Sequence, residues 1–316
     1  MRVELGTALF ARDDQARHVY VLICHFADGR HSWAVNPAAV PEIESYLHRH
    51  WPRVAETFRE LAERSSVQYT AYSVPGGPPV ARIFPDDVED HVADLSLPAV
   101  VLVENNASDG GFLKAVARIF GHEDLLVAID RNWLIIEHGG GGGDTYRRAE
   151  EEHRRFRRLQ RVALVVDSDK LTPDAPVKSS RRIEQLRRLG VKVHVLELRE
   201  AENYIPNRLL QAKKPYREAS QRLKFFKKLT KEQRGHFDMK LGFGKSGEVP
   251  ENQKSLFDGL PDKVVSGLKQ GFGADVIKLF QDVAAHRITE ADFDRDLGSD
   301  AATELRSILT LLRQIV

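Results

Sequence analysis

The sequence predicts an α/β fold: a mainly parallel four-stranded sheet with flanking helices, preceded by a small α/β unit and followed by a helical region. The main observations are two unbroken apolar runs rich in Val and Leu, residues 98–104 and 162–167. Strands covered on both faces are apolar along their whole length, as parallel strands usually are. Both runs end on acidic residues, and ligands of such sheets bind outside the carboxyl ends of the strands. We therefore expect an acidic site at one edge of the sheet.

Length, charge and cysteine content limit the class of protein. A chain of 316 residues exceeds the usual size of one domain. Its formal net charge of +1 does not indicate a particular class of binding partner. The only cysteine, Cys24, excludes an internal disulfide framework and a thiolate metal cluster. No leader-like start and no run of 18 apolar residues is present, so we expect a cytoplasmic protein without a membrane partner.

Residues 1–95 are predicted to form a small α/β N-terminal domain. The apolar run 19–26 is predicted as a strand, followed by a turn and a return strand at 31–35. Apolar residues at helical spacing predict a helix over 41–64.

Residues 96–210 alternate between predicted strands and helices, which favours right-handed crossovers and a parallel sheet. Residues 211–316 are predicted to be mostly helical, basic first and then acidic, with a break around 241–248. The predicted elements of the middle region are a strand ending at Glu104, a helix at 110–120, a strand at 132–137, a helix at 146–159, a strand ending at Asp167, a helix at 178–189 and a strand at 191–196.

Basic residues are concentrated in two segments. Between Ala212 and Arg234 there are nine Lys or Arg and two Glu, and between Arg147 and Arg161 there are seven Arg and three Glu. Residues 275–304 carry eight acids and three bases. Basic segments with interleaved aromatic residues suit a phosphate backbone, because its neutralisation releases counterions. They indicate a nucleic-acid partner, although solvated helix faces would give the same pattern.

Acidic side chains at the strand ends form the candidate site. Asp167 and Asp169 are two residues apart, and such side chains on a strand point to the same face. With Glu104 they could converge on hard cations, which prefer oxygen ligands. Two divalent ions carry four positive charges, so four or five carboxylates are a suitable complement. Glu202 and Asp109 supply that number, although Glu202 could instead be a helix-terminal charge.

These residues resemble a known family. Residues 101–113 (VLVENNASDGGFL), followed by the strand that ends Asp167-Ser-Asp169, resemble the Toprim domain of topoisomerases, bacterial primases and OLD-type nucleases. The resemblance covers roughly residues 98–205. It is closest to OLD-like nucleases, because residues 198–206 (LREAENYIP) are similar to the acidic E-N-Y element after their last core strand.

The resemblance implies a metal-dependent enzyme. In the family, the first-strand Glu and the Asp-x-Asp pair coordinate Mg²⁺ or Mn²⁺, which implies that role for Glu104, Asp167 and Asp169. Family nucleases also place a lysine near the scissile phosphate, where it can stabilise charge on the leaving oxygen. Lys240 is the candidate for this role, with Lys245 behind it.

The sequence departs from the family pattern at two points. Asn105 stands where the family usually has Gly, and the spacing from Glu104 to Asp109 is one residue longer than the common pattern.

The predicted function is a metal-dependent endonuclease that uses two ions to hydrolyse phosphodiester bonds, with DNA favoured over RNA as the substrate and the choice between them left open. The resemblance also implies an anti-phage defence effector that works beside a separate ATPase and pairs with copies of itself. Two alternatives stay open. One is a small-molecule phosphatase with Asp167 as nucleophile, and the other is a non-catalytic nucleic-acid-binding or regulatory subunit, for which Asn105 leaves room.

Three glycine-rich segments have separate interpretations. Residues 242–246 are not a phosphate-binding P-loop, because Met239 stands at the position of its first glycine and no apolar strand precedes it. The five-glycine run 139–143, flanked by His138 and Asp144, could approach a phosphate through its amides or could be a flexible connection. The triplet Gly271-Phe-Gly273 is predicted as a helix junction, and no internal repeat is evident.

Overall fold

A small three-stranded parallel sheet begins the chain. The computed structural model describes residues 1–69, 80–140, 142–244 and 246–316. The strand Arg2–Leu5 lies in the middle of this sheet, between the strands Ser32–Trp33 and Val80–Ile83. The elements of this part are β1 (Arg2–Leu5), α1 (Ala16–Ala27), β2 (Ser32–Trp33), α2 (Val40–His50), α3 (Ala55–Val67), β3 (Val80–Ile83) and α4 (Val88–Ser96).

The predicted strand at 19–26 is wrong, because this run lies within helix α1. Its buried residues recur at intervals of three and four, the period of a helix face: Val19, Leu22, Ile23 and Phe26. The short apolar run hid this period. The return strand at 31–35 is reduced to β2, which pairs in parallel with β1 and forms no hairpin with the preceding run.

The predicted four-stranded sheet is confirmed, and all of its strands are parallel in the order β5-β4-β6-β7. The central strands β4 and β6 are buried at every position. The helix predicted after the first strand is followed by a second one, α6. The elements are β4 (Ala99–Val103), α5 (Gly111–Ile119), α6 (Glu123–Asp130), β5 (Leu134–His138), α7 (Gly142–His153), β6 (Val162–Val166), α8 (Ser180–Arg188) and β7 (Lys192–Val195).

The order of the strands predicts a ligand site above β4 and β6. The chain adds β5 on one side of β4 and then crosses to add β6 on the other side. In parallel sheets, the point where the direction of addition reverses opens a crevice at the carboxyl ends of the two strands.

The C-terminal part is mostly helical, as predicted, and packs on the sheet through one continuous hydrophobic cluster that extends from Ala99 to Ile315. No α-helix occurs between His236 and Lys254 in the residues described there. None of the helices formed by the described residues has the length and apolar character needed to cross a bilayer. The helices are α9 (Asn207–Ala212), α10 (Tyr216–Phe226), α11 (Lys231–His236), α12 (Lys254–Phe257), α13 (Asp262–Gly267), α14 (Glu290–Asp296) and α15 (Ser299–Ile315).

Candidate active site at the carboxyl ends of β4 and β6

Six acidic residues form what we call the acidic cluster: Glu104, Asp109, Asp167, Asp169, Glu200 and Glu202. Glu104 directly follows β4. Strands β4 and β6 are paired in parallel, with Leu102 opposite Leu164, so the residues after them lie at the same edge of the sheet. Glu104 is half-buried. Burial, followed by the negative charges of Asp169 and Asp109, raises the pKa of the Glu104 carboxyl.

Asp167 directly follows the neighbouring strand β6 and is held by a backbone hydrogen bond. Its Oδ1 accepts a hydrogen bond from the amide of Ala201 at 3.1 Å. Burial raises the pKa of Asp167 well above its ordinary value, and the negative charges of Asp109, Glu202, Glu200 and Glu104 add to the rise. The acidic residues predicted from separate segments therefore lie close enough to repel one another.

Asp109 lies in a π-helical turn, Asn106–Gly110, immediately before α5. One carboxylate oxygen accepts the amide hydrogen of Asn105 at 2.8 Å, and the other accepts the hydroxyl hydrogen of Ser108 at 2.8 Å. Burial raises the pKa of Asp109 even though these hydrogen bonds favour the charged form. Single π turns of this kind are frequent at functional sites.

Asp169 lies at the rim of the cluster. Its backbone is left-handed, with φ of 53°, a conformation that Asp tolerates better than most residues. The side chain is 45% exposed and pairs with Lys178 Nζ at 3.1 Å. The Asp167-Ser-Asp169 triplet thus places one carboxylate inside the cluster and the other at its solvent side.

Lys240 contacts two further acidic residues of the cluster. Its Nζ lies 2.8 Å from Glu200 Oε2 and 3.0 Å from Glu202 Oε1. Both glutamates are buried, so Glu202 is not a solvated helix-terminal charge. Burial opposes the charge of Lys240, but the hydrogen bonds and charges of the two glutamates outweigh it and raise the pKa of the ammonium.

Glu200 is a site residue that the sequence analysis missed. The signal was present, because Glu200-Ala-Glu202 repeats the acid-x-acid spacing of Asp167-Ser-Asp169 beyond the next strand. Burial raises the pKa of Glu202, and the charge of Glu200 adds to the rise while Lys240 opposes it.

A ring of charges fixes the position of Lys240. Arg199 donates to Asp238 Oδ2 at 3.0 Å and lies 3.3 Å from Glu200 Oε1. The other oxygen of Asp238 accepts the amide hydrogens of Lys240 and Leu241, at 3.0 and 2.7 Å. The backbone and the ammonium of Lys240 are therefore held by the same network. Lys245, the second candidate lysine, lies outside the described residues.

Asn203 and Tyr204 hold the turn that carries the glutamates. The side-chain amide of Asn203 donates to the carbonyls of Arg234 and Phe237, both at 2.9 Å, and its oxygen accepts the amide hydrogen of Glu200 at 3.1 Å. Tyr204 is fully buried and donates its hydroxyl to Glu304 on α15. This turn is therefore anchored to the C-terminal region.

Two similar segments pack against each other beside Lys240. Residues 239–244 (MKLGFG) and 268–273 (LKQGFG) form a short repeat that the sequence analysis did not recognise. The amide of Phe243 donates to Leu268 O at 3.1 Å, and the equivalent amide of Phe272 donates to Met239 O at 2.6 Å.

The glycines of this repeat, which we call the paired GFG loops (residues 239–244 and 268–273), permit close backbone contact. A Cβ on Gly271 would lie 2.5 Å from the carbonyl carbon and oxygen of Lys240, and a Cβ on Gly242 would lie 2.4 Å from Leu268 O. The backbone of Lys240 is thus packed directly against the second loop, and the triplet predicted as a helix junction is part of this contact.

The five-glycine run makes local contacts where it is described; Gly141 lies outside the described residues. A Cβ on Gly139 would lie 2.2 Å from the Cα of Thr145, so this glycine allows the start of α7 to pack closely. Asp144 is exposed and pairs with Arg147 at 3.4 Å.

The two basic segments differ in how their charges are used. In the segment 212–234, Arg217, Lys224 and Lys228 are exposed and make no ion pair with any described residue. In the segment 147–161, most of the arginines are paired with acidic residues of the chain, and Arg161 is buried. The pairs are Arg147 with Asp144 and Glu151, Arg148 with Glu137, Glu151 and Glu152, Arg154 with Glu150, Arg155 with Glu152, and Arg157 and Arg158 with Asp90.

The donor chemistry of the site fits a hard cation. Its acidic residues present only carboxylate oxygens, are mostly shielded from water and outnumber the lysines that contact them, Lys178 and Lys240. Among the described residues, no three His, Cys, Asp or Glu side chains already converge as a metal-binding group.

Comparisons of the chain with protein-family models, with curated proteins and with solved structures found no match.

Proposed function

We propose that this protein is a divalent-metal-dependent endonuclease that hydrolyses phosphodiester bonds of DNA. The observation that carries the proposal is the partly buried acidic cluster at the carboxyl ends of β4 and β6, with Lys240 held against it. Uncompensated carboxylates are costly to bury, and raised carboxyl pKa values together with a specific partner mark a candidate functional site. The resemblance of residues 98–205 to Toprim nucleases supports the same assignment.

The residues would divide the work as follows. Glu104, Asp109, Asp167, Asp169 and Glu202 would hold two Mg²⁺ or Mn²⁺ ions. When bound, such ions lower the pKa of the attacking water and stabilise negative charge on the attacking and leaving oxygens.

Lys240 would stabilise charge that develops on the leaving oxygen, because its ammonium stays protonated beside Glu200 and Glu202. Glu200 would position Lys240 and share its charge. The exposed, unpaired cations of the segment 212–234 support a nucleic-acid partner, since they remain available to phosphates.

The biological setting belongs to the same proposal. A nuclease of this type would act in the cytoplasm as an anti-phage defence effector, beside a separate ATPase and as a pair of identical copies. These assignments rest on the resemblance to OLD-like nucleases.

The experiment is a cleavage assay on the purified full chain. Supercoiled plasmid, single-stranded DNA and RNA are each incubated with Mg²⁺, with Mn²⁺ or with EDTA. We expect metal-dependent nicking of the DNA substrates, loss of nicking in Glu104→Gln and Asp167→Asn, and wild-type nicking in the control Glu123→Gln, which removes an exposed acid of α6.

Other outcomes would replace the proposal with a named alternative. A phosphate trapped covalently on Asp167, with hydrolysis of simple phosphomonoesters, would identify a phosphatase. Salt-sensitive DNA binding without cleavage under any metal would identify a non-catalytic subunit.

A further inference from the structure

A cavity of about 370 Å³ lies next to the acidic cluster. It begins at Gly110, which directly follows Asp109, and extends along one face of α5 to Arg118. At 1.5 Å per residue, the helical wall from Gly111 to Arg118 is about 10 Å long. The cavity therefore leads away from the acidic cluster over roughly the length of one nucleotide step or more.

One wall of the cavity is cationic. Lys114 and Arg118 are one helical turn apart on α5, and both are exposed. Within the part of the chain that the structure describes, neither side chain takes part in an ion pair. Two neighbouring cations without internal partners are free to bind an anion.

The other wall is different in character. Leu126 and Ile129 of α6 are partly buried, and Phe280 lies at the base of the cavity with 1% of its surface exposed. Asp130, the last residue of α6, adds an exposed carboxylate. The cavity thus offers cations on one side, with an apolar surface and a hydrogen-bond acceptor on the other.

We propose that this cavity binds the nucleotide next to the scissile phosphate. Lys114 and Arg118 contact its phosphate, its base lies against Leu126 and Ile129, and Asp130 accepts a hydrogen bond from an amino group of the base. The inference rests on the proposed nuclease function and adds a subsite to it.

Size and polarity support a nucleotide over a simple anion. At about 370 Å³ the cavity lies within the range of roughly 300–1,000 Å³ that is typical of small-ligand sites, and its lining combines charged and apolar groups. Asp130 would repel inorganic phosphate or a lipid phosphate, whereas a base with an amino group turns that carboxylate into a contact.

The first arm of the test measures binding of a labelled single-stranded DNA in EDTA at several salt concentrations. In Lys114→Gln/Arg118→Gln we expect roughly tenfold weaker binding and a salt slope reduced by about 0.7, because the two cations neutralise one phosphate and each neutralised single-strand phosphate contributes about 0.7. The matched control, Arg17→Gln/Arg53→Gln, removes two exposed charges of the N-terminal unit and should bind like the wild type. Equal binding by both double variants would overturn the proposal, as would a wild type that does not bind.

The second arm identifies the source of the phosphate and the role of the base. In Asp130→Asn, binding of oligo(dC) should weaken more than binding of oligo(dT), because cytosine presents an amino donor where thymine presents a carbonyl. Free mononucleotides should compete only weakly with the strand; tight competition by them, or by inorganic phosphate alone, would contradict a substrate subsite.

The two proposals can fail separately. If Glu104→Gln abolishes cleavage while Lys114→Gln/Arg118→Gln cleaves and binds like the wild type, the nuclease stands and the subsite is wrong. If the wild type never cleaves but its DNA binding depends on Lys114 and Arg118, the nuclease is wrong and the nucleotide site stands.

Discussion

Lys240 Nζ lies 2.8 Å from Glu200 Oε2, and this contact holds the ammonium against the acidic cluster. Glu200 is buried, and without the ammonium it would keep only Arg199 as a cationic partner. The same lysine is held through its backbone by Asp238. Position and charge of Lys240 are therefore fixed before any substrate binds, which is what stabilisation of a developing charge requires.

Removal of this ammonium should impair the chemical step more than binding. In Lys240→Gln we expect the single-turnover rate of DNA cleavage to fall by roughly 10²–10³-fold, the usual effect of losing one transition-state hydrogen-bond donor. DNA affinity in EDTA should change little. Lys254→Gln, which breaks an exposed pair with Glu251, is the control and should cleave normally. A Lys240→Gln protein with the wild-type rate would exclude the lysine from the mechanism.

Asp167 should be a residue whose charge lowers the stability of the metal-free protein. Its carboxylate is buried among other acids, whereas an amide can still accept the hydrogen bond from Ala201. In EDTA, the free energy of unfolding of Asp167→Asn should therefore be about 0.5–2 kcal/mol higher than that of the wild type.

Metal should reverse this order. Saturating Mn²⁺ at a hundred times its dissociation constant should stabilise the wild type by about 2.7 kcal/mol and should leave Asp167→Asn unchanged. Thermal unfolding with EDTA and along a Mn²⁺ titration measures both effects. Asp174→Asn, an exposed acid on the loop after β6, should behave as the wild type in both conditions. Equal metal stabilisation of all three proteins would argue against ion binding at Asp167.

The basic segment 212–234, whose exposed cations are unpaired among the described residues, should contact DNA. The segment 147–161, whose arginines are mostly paired within the chain, should not. In Arg217→Gln/Lys224→Gln/Lys228→Gln, the slope of log affinity against log salt for duplex DNA should fall by roughly 2.7, about 0.9 for each phosphate contact. The matched triple variant Arg147→Gln/Arg154→Gln/Arg155→Gln removes the same charge from side chains that are already paired within the chain. Fluorescence anisotropy at four or five salt concentrations distinguishes them, and a similar loss in both would refute the distinction.

The paired GFG loops show which part of this site could not be predicted from the sequence. The strands carrying Glu104 and Asp167 could be predicted because an unbroken apolar run that ends on an acid is a local signal. The contact that positions Lys240 joins residues about thirty positions apart and depends on backbone approach at Gly271, for which a single sequence gives no local signal. Glu200 was missed although its acid-x-acid spacing with Glu202 is visible in the sequence, because its contact with Lys240 is not.

In the N-terminal unit, one element was predicted wrongly and another was not predicted. The apolar run 19–26 is so short that its pattern is compatible with both a buried strand and a helix. It forms part of helix α1 because of its packing in the folded protein. Strand β1, with just four residues, gave too weak a pattern to be predicted.

Gly271 should be required for activity because it allows the backbone of Lys240 to approach. In Gly271→Ala, the new methyl group would lie 2.5 Å from the carbonyl of Lys240, so one of the loops must move. We expect a loss of about 1–3 kcal/mol in stability, as for other overpacked sites, and a lower cleavage rate with DNA affinity preserved. The control is Gly143→Ala, where the added methyl group meets only the tip of Arg182. Full activity of Gly271→Ala would show that Lys240 does not depend on this contact.

His31 should make the N-terminal unit sensitive to acid. The ring is 3% exposed, and its Nε2 donates to the carbonyl of Leu95 at 3.0 Å. Burial, followed by the positive charges of the Met1 amino group and Arg161, lowers the pKa of His31 from 6.5 to about 2. The folded protein thus keeps this ring neutral at pH values where the unfolded chain binds a proton. The stability that depends on a neutral His31 is fully present above pH 6.5 and is lost as the pH falls from 6.5 towards 2.

Urea unfolding at pH 7.5 and 5.5 checks the size of this effect. His31 alone should cost the wild type about 1.4 kcal/mol between these two values, because one pKa unit corresponds to about 1.4 kcal/mol. His31→Gln keeps a donor for the carbonyl of Leu95 and does not titrate. Between pH 7.5 and 5.5, its free energy of unfolding should therefore decrease by about 1.4 kcal/mol less than that of the wild type. His18→Gln, on the more accessible first turn of α1, should follow the wild type. Parallel pH profiles for His31→Gln and the wild type would mean that other groups cause the acid sensitivity.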